Sequence, residues 1–283
     1  MPTDIALCTV VTEAVLTEFE VLKFSYELFH GTDAPWFVRC DRASYAALSQ
    51  HANVICTVFT QRQANRPDNE STAFRSLVAQ KMSVLADAWA HSSTWTGVVF
   101  LDADLIFTAP LLPMLQTMPG ELLLTPNHYP PSRRHLAAIH GEYNSGFVLT
   151  RTSRFHEWWR EAFNADTTRW TDQACLNDAG DAGFEIGALG PESNVGFWRS
   201  PQVVSYNAIP AECTFLHVHL YQPLRSFREW IDKSFALHCV RFLQVSPRAD
   251  RQRVLREIFR RDRCGWFEST LRVCGESWVE SRS

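Results

Sequence analysis

Two carboxylates one residue apart, Asp102 and Asp104, follow the apolar run Val98-Val99-Phe100-Leu101, and Leu105-Ile106-Phe107 comes directly after them. The run reads as a short strand buried on both faces, the kind that a parallel sheet holds at its centre. A charge is tolerated there only at the strand's open end, where water or a cation meets it. Flanking Ala103, both acids can turn toward one divalent ion. Hard ions such as Mn²⁺ or Mg²⁺ take such oxygens and keep other positions free for phosphate oxygens. The competing reading makes Asp102 and Asp104 turn or capping residues. Far downstream, His217 and His219 lie two apart in an apolar stretch over residues 213–220 and share a face if it is a strand. One of them can reach the same ion from a distant strand, or both are hydrogen-bonded core histidines.

Several elements must position these groups. Residues 5–11, 36–41 and 54–59 read as strands, and residues 15–29, 45–50 and 74–89 as helices between them. That alternation predicts an α/β sheet with crossover connections. Thr9 and Val10 end the first strand, Asp41 ends the second, and Arg75 and Lys81 ride on the helix before the central strand. Residues 61–71 read as a surface loop. Residues 121–126 and 143–150 read as further strands, and 127–142 as a lid or an irregular connection rich in His, Pro and Arg. Residues 155–163 form an amphipathic helix whose Trp158 and Trp159 read as packing residues. At 171–177 a helix starts with Thr171 or Asp172 as its cap. Residues 180–194 read as loop, and 203–206 as a small strand.

The chain of 283 residues is large enough to bury a sizeable core. A net charge of −4 argues against a nucleic-acid binder that relies on bulk positive charge. No run approaches the length of a membrane helix. The eight cysteines are scattered without CxxC or zinc spacing, so they read as small buried hydrophobes in a reducing cytoplasm. Residues 1–245 read as one domain and 246–283 as a basic helical extension. In the helix at 248–263, Val254, Leu255, Ile258 and Phe259 make one stripe among many arginines. The stripe packs on the domain, or it lies on an anionic bilayer as a peripheral membrane contact.

Four motifs occur in order: Phe100-Leu101-Asp102-Ala103-Asp104, Asn144-Ser145-Gly146-Phe147, Asp172-Gln173 with Leu176-Asn177, and His217-Val218-His219. In these the chain resembles the GT-A class of nucleotide-sugar glycosyltransferases. It is similar in particular to the glycogenin and lipopolysaccharide-galactosyltransferase type and to a group of bacterial nucleotide-diphospho-sugar transferases. After its histidine that type carries a glycine and a basic-proline-aromatic element, where this chain has Leu220, Tyr221, Gln222 and Pro223.

The resemblance implies a GT-A type, Rossmann-like mixed sheet flanked by helices. It implies metal-dependent transfer of a sugar, with retention, from a nucleotide-diphosphate donor to a glycan, lipid-linked or protein acceptor. Asp102, Asp104 and His217, with His219 as alternative, would hold Mn²⁺ or Mg²⁺. Asp172 and Gln173 would lie beneath the sugar. Asn144, Ser145 and Gly146 would meet sugar or acceptor hydroxyls. Thr9 and Val10 would face the nucleoside. By position alone, Asp41 either contacts ribose or base or forms a turn, and Lys81 and Arg75 either reach phosphate oxygens or lie on a solvated helix face. Two rivals stand beside it: a nucleotidyltransferase that makes a nucleotide sugar, and a non-catalytic sugar-binding protein on the same fold.

Overall fold

The computed structural model describes residues 4–59, 72–165, 172–199, 206–221, 227–262, 265 and 267. The first half of the chain runs β1 (Ile5–Val11), α1 (Leu16–His30), β2 (Trp36–Cys40), α2 (Arg42–Leu48), β3 (Val54–Val58) and α3 (Thr72–His91). Next come β4 (Gly97–Leu101), β5 (Leu105–Phe107), α4 (Leu112–Thr117), β6 (Leu122–Pro126), α5 (Leu136–His140) and β7 (Tyr143–Thr150). The rest is α6 (Arg154–Ala165), β8 (Ile186–Ala188), β9 (Val195–Gly196), β10 (Phe215–His217), α7 (Phe227–Val245) and α8 (Ala249–Arg261).

The main sheet has the order β3-β2-β1-β4-β7-β6-β8. Strands β3, β2, β1 and β4 are parallel, and β7 runs against both β4 and β6. The fold is therefore α/β with a mixed sheet, its crossovers carried by α1, α2 and α3. All five residues of β4 are buried. The reason is its place: Val99 and Leu101 enter the core beneath α1, and Val98 and Phe100 enter the core beneath α3 and α6. Trp159 lies in that second core and Trp158 packs against it. A smaller sheet, β5-β10-β9, leaves the main one just past Asp104.

Several expectations change in the folded chain. The stretch at 180–194 supplies β8, which pairs with β6, packs Ile186 on the core and is too short to show a pattern. Of residues 213–220 only Phe215–His217 pair as strand. The helix at 171–177 is a short 3-10 turn, Ala174–Asp178, whose cap position is Gln173 without a side-chain bond; Thr171 lies outside the described residues. So do the surface loop at 61–71 and residues 203–205; Tyr206 opens another 3-10 turn. Of the six described cysteines, all free thiols, five are buried.

The stripe on α8 is covered. Val254, Leu255 and Ile258 share a core with Val21 of α1, Leu216 of β10 and Val240 of α7. A bilayer has no access to that face while α8 is folded, so the membrane-lying arrangement is replaced by packing. Arg251 is buried too, donating to the carbonyls of Thr108 (3.0 Å) and Ala211 (2.8 Å). Arg261 pairs with Glu20 of α1 and with Glu257. No helix among the described residues is long and apolar enough to cross a membrane.

His30 ends α1 in a setting that fixes it neutral. One ring nitrogen donates to the Tyr26 carbonyl (2.9 Å), and the other accepts from the Leu111 amide (2.8 Å). Burial pushes its pKa down from the usual 6.5 to about 4, against the smaller opposing pull of the Tyr26 bond. The unfolded chain therefore takes up the proton first, and stability is lost as pH falls from about 6.5 toward 4. We expect about 2–3 kcal/mol of loss between pH 7 and pH 4.5 from this group. Urea unfolding of wild type and His30→Gln at both pH values checks it. Identical pH dependence in the two proteins would refute it.

Candidate active site

Asp102 emerges where β4 ends, its amide held by the Gly146 carbonyl of β7 (2.8 Å). The chain turns at once, with the Leu105 amide on the Asp102 carbonyl (3.2 Å), and Asp104 leads into β5. Strand β10 pairs antiparallel to β5 with His217 opposite Leu105, and the Val218 amide donates to the Asp104 carbonyl (2.9 Å). That register delivers His217 to both acids. Its Nε2 is 3.2 Å from Asp104 Oδ1 and 3.9 Å from Asp102 Oδ2. Asp102, Asp104 and His217 each offer one ligand atom, all within 4.8 Å of one another. His219 stands outside that set. Its Nδ1 meets the second oxygen of Asp104 at 2.8 Å, so it orients this acid and is not grouped with the three ligands.

Asn194, fully buried and in the left-handed region at φ 54°, decides which way His217 faces. Its amide nitrogen donates to Asn144 Oδ1 (2.8 Å) and Thr125 Oγ1 (2.8 Å). Its oxygen must then accept from His217 Nδ1 (3.1 Å), which places a hydrogen on Nδ1 and turns Nε2 toward the carboxylates. Two carboxylate oxygens and this ring nitrogen converge on one space, a set that could hold a metal ion. Two carboxylates and an imidazole held by a second bond suit a borderline-hard divalent ion.

Gly146 makes this packing possible. A Cβ there would lie 2.4 Å from Cε1 of His217, so the close approach at this glycine is made by the chain's own histidine. Gly146→Ala is expected to push the ring aside and weaken Mn²⁺ binding about tenfold or more. A calorimetric Mn²⁺ titration that matches wild type would show that His217 is not a ligand.

Lys81 of α3 lies on the other side of Asp102. Its ammonium is 2.9 Å from Asp102 Oδ1, 3.0 Å from Asp172 Oδ2 and 3.3 Å from Ser145 Oγ. Burial opposes its charge, but Asp102 and Asp172 outweigh burial and raise its pKa. The neighbouring acids are driven apart. Burial pushes Asp102 up despite Lys81. Asp104 is held well below the carboxylate range because His217 and His219 overcome its burial.

No protein-family model matches the chain, and no curated protein sequence matches it.

The remaining residues divide plainly. Asp172 is buried, accepts Trp159 Nε1 on its carbonyl (2.9 Å) and turns its carboxylate to Lys81, so it is not a helix cap. Gln173 follows it, half-buried. Asn144 serves Asn194 and the Gly146 amide, and Ser145 meets Lys81. Ala103 is buried in the turn. Thr9 is fully buried on β1, and its hydroxyl has no partner among the described residues. Val10 packs against the core beneath α3. Asp41 is occupied with structure: Oδ1 accepts from the amide and hydroxyl of Ser44 at the start of α2, and Oδ2 from the Glu13 amide. Arg75 donates to the Phe163 carbonyl (2.6 Å) and lies over that residue's ring, joining α3 to α6.

Three residues near the site were not legible beforehand. Asn194 sat in presumed loop, and Trp198 packs edge-on against His217 with ring centroids 5.0 Å apart. Glu18 is a buried acid on α1 that accepts the Tyr221 amide (3.1 Å) and feels His219 and Asp104. Burial raises its pKa. Its signal was an acid inside an otherwise apolar helix face.

Proposed function

We propose that the chain transfers a sugar from a nucleotide-diphosphate donor to an acceptor hydroxyl, with Mn²⁺ or Mg²⁺ held by Asp102, Asp104 and His217. The observation that carries this reading is Lys81, whose single ammonium joins an acid of the metal cluster to Asp172. A diphosphate on the cluster and a sugar over Asp172 then fall next to each other. When bound, the ion neutralises the charge that develops on the departing nucleoside diphosphate. The nitrogen ligand favours Mn²⁺ over Mg²⁺.

The chain's own groups do the rest. Asp172 stabilises positive charge that develops at the anomeric carbon, and its burial makes that attraction stronger than it is in water. Lys81 compensates both acids until substrate arrives, then faces phosphate or sugar oxygens. Ser145 and Gln173 orient hydroxyls. Thr9, fully buried in the sheet, is left out of this reading. Asp41, with both oxygens occupied, is left out of this reading.

Incubation with Mn²⁺ and a panel of UDP-, GDP- and ADP-sugars tests it. Release of nucleoside diphosphate and free sugar is the expected result. Formation of nucleoside triphosphate on adding pyrophosphate would instead identify a nucleotidyltransferase. Donor binding without turnover would identify a sugar-binding protein.

A further inference from the structure

The connection between β6 and β7, residues 127–142, leaves and re-enters the sheet at the edge where Asp102 ends β4. Its ends are tied together. The Asn127 amide donates to the Glu142 carbonyl (2.7 Å), and the side chain of Asn127, itself buried, donates to the Gly141 carbonyl (2.9 Å). The loop's C-terminal end is also held against the turn that follows Asp172. Gly141, at φ +98°, lies so close that a Cβ would be 2.8 Å from the Gln173 carbonyl, and the Glu142 amide donates to Asn177 Oδ1 (2.8 Å). This is a connection closed at its base and held against the stretch that follows Asp172.

Its chemistry differs from the rest of the chain. Residues 128–140 contain Arg133, Arg134 and three histidines but no acid, in a protein whose net charge is −4. Pro130 and Pro131 stiffen the approach, and a 3-10 turn, Pro131–Arg133, presents the arginines. Arg134 and His135 are exposed and Arg133 half-exposed. Among the described residues neither arginine has a carboxylate partner. Guanidinium groups without a carboxylate partner offer paired N–H donors to an oxyanion.

We propose that this loop seats the acceptor, and that the acceptor is an anionic saccharide whose phosphate or carboxylate is gripped by Arg133 and Arg134. The inference rests on the sugar-transfer reading and adds the acceptor's chemical class. A loop already closed at both ends loses little conformational freedom on binding.

Four probes test it by calorimetry at 0.15 M salt: glucose, glucose 6-phosphate, glucuronate and inorganic phosphate. We expect the two anionic sugars to bind about tenfold tighter than glucose or more, and tighter than phosphate alone. The double variant Arg133→Ala, Arg134→Ala should lose that preference while its Mn²⁺ affinity, a check on the fold, holds. The contrast between glucose 6-phosphate and glucuronate reads which anion is preferred. Equal binding of charged and neutral sugars would overturn the proposal, and so would a preference that survives in the double variant or phosphate binding as tightly as its sugar ester. The comparison needs no turnover, so a failure of donor cleavage is told apart from a failure here.

Discussion

Asp104→Asn is expected to abolish Mn²⁺ binding and to slow the proposed metal-dependent donor cleavage by about a hundredfold or more. Asp104 is the acid on which the site converges, with His217 on one oxygen and His219 on the other. Asparagine has nearly the same shape but no charge, and its NH₂ group turns a donor toward one of the histidines. The cluster then loses a ligand and a negative charge together. His219→Ala is the contrast. Its Nδ1 meets the far oxygen of Asp104, so the change loosens a ligand without removing one and is expected to cost about tenfold in metal affinity. Mn²⁺ titration followed by donor cleavage at saturating metal reads both effects, with a thermal melt to confirm the fold. Undiminished Mn²⁺ affinity in Asp104→Asn would remove the metal from this cluster. A larger loss in His219→Ala than in His217→Ala would exchange the two histidines' roles.

The second large effect is on stability. Lys81→Met keeps the length and apolar stem of the side chain but leaves Asp102 and Asp172 facing each other without a counter-charge. Both carboxylates are more than two-thirds buried. Breaking such a pair strands charge away from water, and the metal-free variant is expected to lose about 3 kcal/mol at neutral pH. Added Mn²⁺ restores part of that by neutralising Asp102, but it leaves Asp172 uncompensated. The deficit shrinks as pH falls, because a protonated carboxylate needs no counter-charge. Urea midpoints of both proteins, with and without Mn²⁺, measure it. A metal-free variant as stable as wild type would mean that water, not Lys81, compensates these acids.

How much of this was readable beforehand depends on how local each signal is. The uninterrupted apolar run of β4 was visible, since a strand buried on both faces shows no polar alternation. So was the pairing of acids at its end. The two histidines were placed on one side by strand alternation, and both do reach Asp104 although regular pairing stops at His217. Asn194 was not readable, because nothing local marks an asparagine whose backbone turns left-handed to aim its amide at a histidine. The stripe on α8 was visible as a stripe. Its partner was not, since a helix face that suits a lipid boundary suits a protein core equally well.

By itself, then, the sequence determined the alternating α/β order, the central strand, the two acids and the late histidines. Periodicity records which residues avoid water, and that is a property of short segments. Tertiary structure alone decided that β10 lies against β5, that His217 joins Asp102 and Asp104 while His219 braces one of them, and that Lys81 ties the cluster to Asp172. It also decided that Asp41 and Arg75 hold structure and that α8 is covered. Those outcomes depend on which apolar faces meet across the chain. Burial is indifferent to the partner, so only the packing of the whole could choose among them.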